Sequence, residues 1–226
     1  MIDQVIGGTT PRRGFLRRLA AGAAMLGGSL TLPAPLDAAP LADAPDDDWM
    51  QKLTGKHRTV FDLGAHRNGR PLMQSKNFLD AWRDAFKVPE DQVNLVLGVQ
   101  GEGTPIVLSD ALWSRFHIGQ HFELTDPATK APATRNPFIA ANVATAGLVN
   151  AEQSVEALQK RGVRFVACRN ALAATAARLS GLGLGPVEEV RAALLAGLLP
   201  GVITVPAMVV ALAQLQERGL TYVKIS

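Results

Sequence analysis

Val163-Arg-Phe-Val-Ala-Cys168-Arg-Asn-Ala-Leu172 runs an apolar, β-branched segment straight into a cysteine and then into helix-forming residues. Short apolar runs of this kind suit strands buried on both faces, as in parallel sheets. Working outward, the same alternation recurs. Residues 58–64 (RTVFDLG) and 92–99 (QVNLVLGV) read as strands, as do the short run 202–205 and the segment 222–225. Between them, Phe78, Leu79, Trp82, Ala85 and Phe86 fall at three-and-four spacing and predict a helix over 74–88, ended by Pro89. Ser109 or Asp110 should cap a helix running through Phe116, and Gly162 should close one over 150–161. Helices are also expected over 170–179, 187–195 and 207–218. Residues 122–142 hold Pro127, Pro132 and Pro137 without a clear period and read as a long loop. Strand–helix alternation of this kind predicts an α/β domain, a mostly parallel five-stranded sheet with helices on both faces.

The 226 residues carry 23 basic and 20 acidic side chains, a net charge of +3 with a pI near 9.3. Part of that basicity sits in the first forty residues. Arg12 and Arg13 precede Phe15 and Leu16, with Arg17 following, and an Ala/Gly/Leu run of about 14 residues comes next. That run falls short of the ~20 residues a membrane-spanning helix needs. The arrangement resembles a twin-arginine export signal, Arg-Arg-x-Phe-Leu-Lys, with Arg17 in the lysine place. That resemblance implies that residues 1–38 are a signal peptide read by the twin-arginine export machinery, with cleavage expected after Ala38; an uncleaved membrane anchor and an amphipathic basic surface helix stay open. Residues 39–56 are expected to be a flexible linker, and 57–226 the domain. Removing Arg12, Arg13, Arg17 and Arg18 with Asp3 and Asp37 lowers the net charge to +1. Near-neutrality removes the electrostatic case for nucleic acid. The expected destination is the periplasm, with no membrane span after processing.

Cys168 is the only cysteine, which excludes an intramolecular disulfide and a CxxC redox pair. In open α/β sheets ligands bind at the carboxyl ends of strands. There, Cys168 would face the positive end of the following helix, an environment that favours a thiolate. Arg169 is adjacent, with Asn170 beside it, and position alone leaves a buried structural cysteine equally open.

The block 162–172, followed by Leu199-Pro-Gly-Val-Ile-Thr-Val-Pro-Ala-Met and the helix and strand that end at Ile225, resembles the DsrE/DsrF-like family. The resemblance covers roughly 59–225, with 125–138 as an insertion. It implies a flavodoxin-like three-layer fold and association into trimers or hexamers. In several members a cysteine carries sulfur as a persulfide, and Cys168 matches that position.

Other residues compete for a role. Gly98-Val-Gln-Gly-Glu-Gly-Thr-Pro105 is Gly-x-x-Gly-x-Gly, not the dinucleotide pattern, and reads as a tight turn with Glu102 at its tip, bordering the crevice of Cys168. His66-Arg67-Asn68-Gly69-Arg70 reads as a polar loop at the carboxyl end of the first strand, and places His66 beside the same crevice. His117 and His121, four apart, would share one face of a helix as metal ligands, although Gly119 weakens that helix. The alternative for both is an ordinary polar position. Residues 205–215 are apolar on nearly all sides, which predicts burial under an oligomer interface. No serine triad, carboxylate pair, phosphate loop or haem-attachment motif is visible, and no particular cofactor is indicated. Three functions stay open: a sulfur carrier, an oligomeric binding module with a structural thiol, and a metal-binding protein.

Overall fold

A computed structural model of the chain describes residues 48–225. The expected signal peptide lies outside them. Five strands, β1 (His57–Ala65), β2 (Val93–Glu102), β3 (Arg164–Cys168), β4 (Ile203–Val205) and β5 (Thr221–Ile225), form one sheet in the order β4-β3-β2-β1-β5. Every neighbouring pair is parallel, so the expected mostly parallel sheet is parallel throughout. The architecture is a three-layer, flavodoxin-like α/β fold, with this strand order in place of the 2-1-3-4-5 of flavodoxin itself.

The helices in chain order are α1 (Asp48–Gln51), α2 (Arg70–Asp80), α3 (Asp110–Arg115), α4 (Ile118–His121), α5 (Val143–Ala146), α6 (Val155–Lys160), α7 (Arg169–Gly181), α8 (Val187–Ala196) and α9 (Met208–Glu217). Strand alternation distributes them. Phe61 and Leu63, Leu95 to Val99 by twos, and Phe165 and Ala167 point to one face, where helices α2 to α8 cover them. Val60, Val96, Val166, Cys168 and Val205 point to the other, covered by α9 and by Trp49, Met50 and Leu53 near α1. The first core contains the fully buried Trp113, Phe116, Phe138 and Phe165. At about 2–3 kcal/mol per large apolar side chain, it supplies most of the hydrophobic stabilisation. The second core is built largely of valine and leucine, with Met50 and Met208.

Several expectations change. Of the linker predicted over 39–56, residues 39–47 lie outside the described residues; after them Trp49, Met50 and Leu53 are buried against the sheet. Helix α2 begins at Arg70, not 74, since Pro71 suits a first helical turn. The helix predicted over 150–161 breaks in two: Ser154 takes an extended conformation and its hydroxyl accepts from the Ala157 N–H, recapping the chain as α6. The glycine-rich segment from Gly98 turns only at its end: β2 continues through Gly98 to Glu102, and the Gly103 N–H donates to the Gln100 carbonyl at 2.9 Å. Gly98 is a strand residue whose missing side chain leaves room for Met208; a Cβ there would stand 2.7 Å from the Met208 Sδ.

The long loop after α4 is held by buried polar groups. The Asn136 side-chain amide donates to the carbonyls of Leu108 (2.7 Å) and Ile106 (3.1 Å), and its oxygen accepts from the Phe138 N–H (2.9 Å). The Asp110 carboxylate accepts from the Asn136 N–H (2.7 Å) and from Asn142 (2.9 Å). Asp110, expected as a helix cap, thus anchors the loop instead. Asn136→Ala would leave these buried backbone groups unpaired. The expected loss is about 3 kcal/mol in urea unfolding, with the denaturant slope unchanged. A loss within experimental error would mean the network does not hold the loop.

Candidate functional site

Cys168 ends β3 and stands immediately before α7, with 5% of its surface exposed. The Met208 backbone N–H, at the start of α9, donates to its Sγ at 3.3 Å. The Asn170 N–H donates to the Pro206 carbonyl at 3.2 Å, tying the first turn of α7 to the β4–α9 connection. Two helix N-termini therefore meet at one sulfur, each presenting the positive end of its backbone dipole.

A second arrangement lies at the carboxyl ends of β1 and β2. His66 follows β1, and its N–H donates to the carbonyl of Glu102, the last residue of β2 (3.1 Å). The His66 Nδ1 accepts from the Asn68 N–H (3.2 Å), and Nε2 lies 3.0 Å from the Phe122 carbonyl. The first contact requires an unprotonated Nδ1, and the second a protonated Nε2, so the ring is the neutral Nε2–H tautomer. Burial pushes its pKa below the ordinary value, against the opposing pull of the Phe122 carbonyl and Glu102. Both ring nitrogens are engaged, so His66 braces the wall.

Arg178 reaches over from α7. Its guanidinium pairs with Glu102 Oε1 (3.1 Å), donates to the His121 carbonyl, and lies 4.9 Å from the centre of the Phe122 ring. Burial, and then the charges of Arg178 and His117, lower the pKa of His121. These groups line a cleft of about 470 Å³. Arg67 (φ 42°), Asn68 (φ 51°) and Glu123 (φ 56°), also in its wall, hold left-handed backbone conformations that cost non-glycine residues energy.

The expected single crevice is therefore two places. His66 and Glu102 come together, joined by His121 and by Arg178, which the sequence reading did not single out. Cys168 lies on the opposite face of the sheet. The reason is a β-bulge. Leu63 pairs with Val99, but Ala65 pairs with Glu102, so β2 carries one extra residue, at Gly101 (φ +53°). Unbroken alternation would send Glu102 to the face of Gly98 and Cys168; the bulge turns it over. Arg169 and Asn170 begin α7 and neither lines the cleft.

His117 and His121 do not share a helix face. His117 is left-handed (φ 48°) and precedes α4, so it lines a different cavity of about 380 Å³ beside Trp113 and Gln120. Among the described residues no group of three or more His, Cys, Asp or Glu is placed to hold a metal ion.

A histidine whose folded pKa is depressed takes up protons less readily folded than unfolded. Stability present above the unfolded value of 6.5 is then lost as pH falls below it, until the folded pKa is passed. The melting temperature should fall on acidification below 6.5, and His66→Asn should flatten that slope. In an NMR titration His66 should show its midpoint below 6.5; a midpoint at or above it would contradict the burial argument.

No family model matches the chain, and no curated protein matches it. Among solved structures, the chain is similar to a protein of unknown function from Methanobacterium thermoautotrophicum. The two share 20% identity, with 75% of this chain and 99% of that one covered and a TM-score of 0.40.

Proposed function

We propose that the chain is an exported sulfur carrier of the DsrE-like type, with Cys168 as the accepting residue. The observation that carries this reading is the Met208 N–H on the Cys168 sulfur, at the meeting point of α7 and α9. A backbone donor aimed at one sulfur holds it in a fixed orientation, as thiol and as persulfide alike. In the step itself, Cys168 gives its proton to solvent and its thiolate attacks the outer sulfur of a donor persulfide. The donor S–S bond breaks as the new one forms, and the donor leaves as a thiolate, with no net oxidation.

Burial sets the condition for this chemistry. The start of α9 covers the thiol, so the donor must reach it while that turn is displaced. Export by the twin-arginine route and assembly into a homo-oligomer belong to the same proposal. Val209 and Val210 on α9 are 69% and 55% exposed, which supports an oligomer contact there. No helix among the described residues is long and apolar enough to cross a membrane.

The 5% exposure of Cys168 favours a second reading, an oligomeric binding module whose thiol only packs the smaller core. Incubation with a low-molecular-weight persulfide, followed by intact-mass measurement, separates the two. The carrier gains about 32 Da per sulfur on wild type and nothing on Cys168→Ser. An unmodified wild type whose thiol also resists alkylation until denaturant is added would establish the structural role.

A further inference from the structure

We propose that the cleft at the ends of β1 and β2 binds a free α-amino acid, its carboxylate on Arg178 and its ammonium on Glu102. Nothing in this inference depends on the carrier reading, since Cys168 is on the other face of the sheet. The location is where open α/β sheets bind small molecules, and about 470 Å³ accommodates a ligand of this size.

The charge pattern selects the ligand class. The lining holds two guanidinium groups, Arg67 and Arg178, and two carboxylates, Glu102 and Glu123. Arg178 and Glu102 already pair with each other at 3.1 Å. An anion entering alone would take Arg178 and strand Glu102 beside it; a cation would strand Arg178. A ligand carrying both signs on neighbouring atoms replaces both halves of the pair at once and brings no net charge. An exposed pair of this kind contributes little to stability, so opening it costs little. His66 is held by bonds at both nitrogens and contributes shape. Asn68 and His121 remain at the wall to meet the ligand's side chain. Three of the six left-handed non-glycine residues among those described, Arg67, Asn68 and Glu123, stand in this one wall. Strain concentrated in this way marks sites where the backbone is held for binding.

The test is isothermal titration of the purified full chain with a panel of L-amino acids, each beside its decarboxylated amine and its deaminated acid. At least one amino acid should bind with Kd of about 1 mM or tighter. Its amine and acid analogues should bind about tenfold more weakly or worse. Arg178→Met and Glu102→Gln should each weaken the amino acid about tenfold, with far-UV circular dichroism unchanged. Both residues are on the surface, and Cys168→Ser should bind like wild type. The proposal is overturned if no amino acid binds at about 10 mM. It is equally overturned if the acid analogue binds as tightly as the amino acid, or if the variants bind like wild type. Should the variants unfold, the analogue comparison on wild type decides alone.

Discussion

Period-two alternation along a parallel sheet is the constraint on which the rest of this molecule depends. Each inward-facing side chain on one face leaves its neighbours for the other, so the three inner strands divide the apolar residues between two unequal cores. The larger takes every buried aromatic side chain but Trp49, and seven helices. The smaller is closed by α9 and the residues around α1. Cys168 belongs to the smaller for no reason beyond parity with Val166. Its sulfur is therefore covered by a single helix, α9. Gly98 is part of the same arrangement, since its empty position admits the Met208 side chain, whose backbone N–H meets the sulfur.

The alternation fails at one place, and that place makes the second site. With an extra residue at Gly101, Glu102 turns toward α7 and meets Arg178. Bulges commonly re-aim one side chain beside a functional site. The neighbouring loop is bent to match, with Arg67 and Asn68 held in left-handed conformations and His66 pinned at both nitrogens. The two sites thus occupy opposite faces, and share the carboxyl end of the sheet and helix α7, which starts immediately after Cys168 and carries Arg178.

This division also explains what could be read from the residues alone. The β-branched runs located all five strands, and three-and-four spacing located most helices, because burial on regular elements leaves a periodic trace. Cys168 at a strand end was legible for the same reason. The bulge was not: Gly98, Gly101 and Gly103 together look like a turn, and only the register between Ala65 and Glu102 shows which one breaks the pattern. The pairing of His117 with His121 failed on one dihedral angle, a left-handed His117 that spacing does not reveal. Arg178 gave no signal, since its role comes from reaching across to β2, 76 residues away in sequence. Asp110 did give a signal, that of a helix cap, and its bonds to Asn136 and Asn142 became visible only once the loop was placed.

The order of strands has a consequence for how the protein is made. β1 lies inside the sheet, yet one of its two neighbours is β5, and the Tyr222 hydroxyl that donates to Asp62 lies 160 residues further along. At roughly 5–20 residues per second of synthesis, β1 waits many seconds with one hydrogen-bonding edge open. β4, β3 and β2 can assemble against it first, but the sheet cannot close until Thr221–Ile225 has left the ribosome. A nascent chain of this topology keeps one edge of its earliest strand unpaired with β5 while the 160 residues between Asp62 and Tyr222 are made.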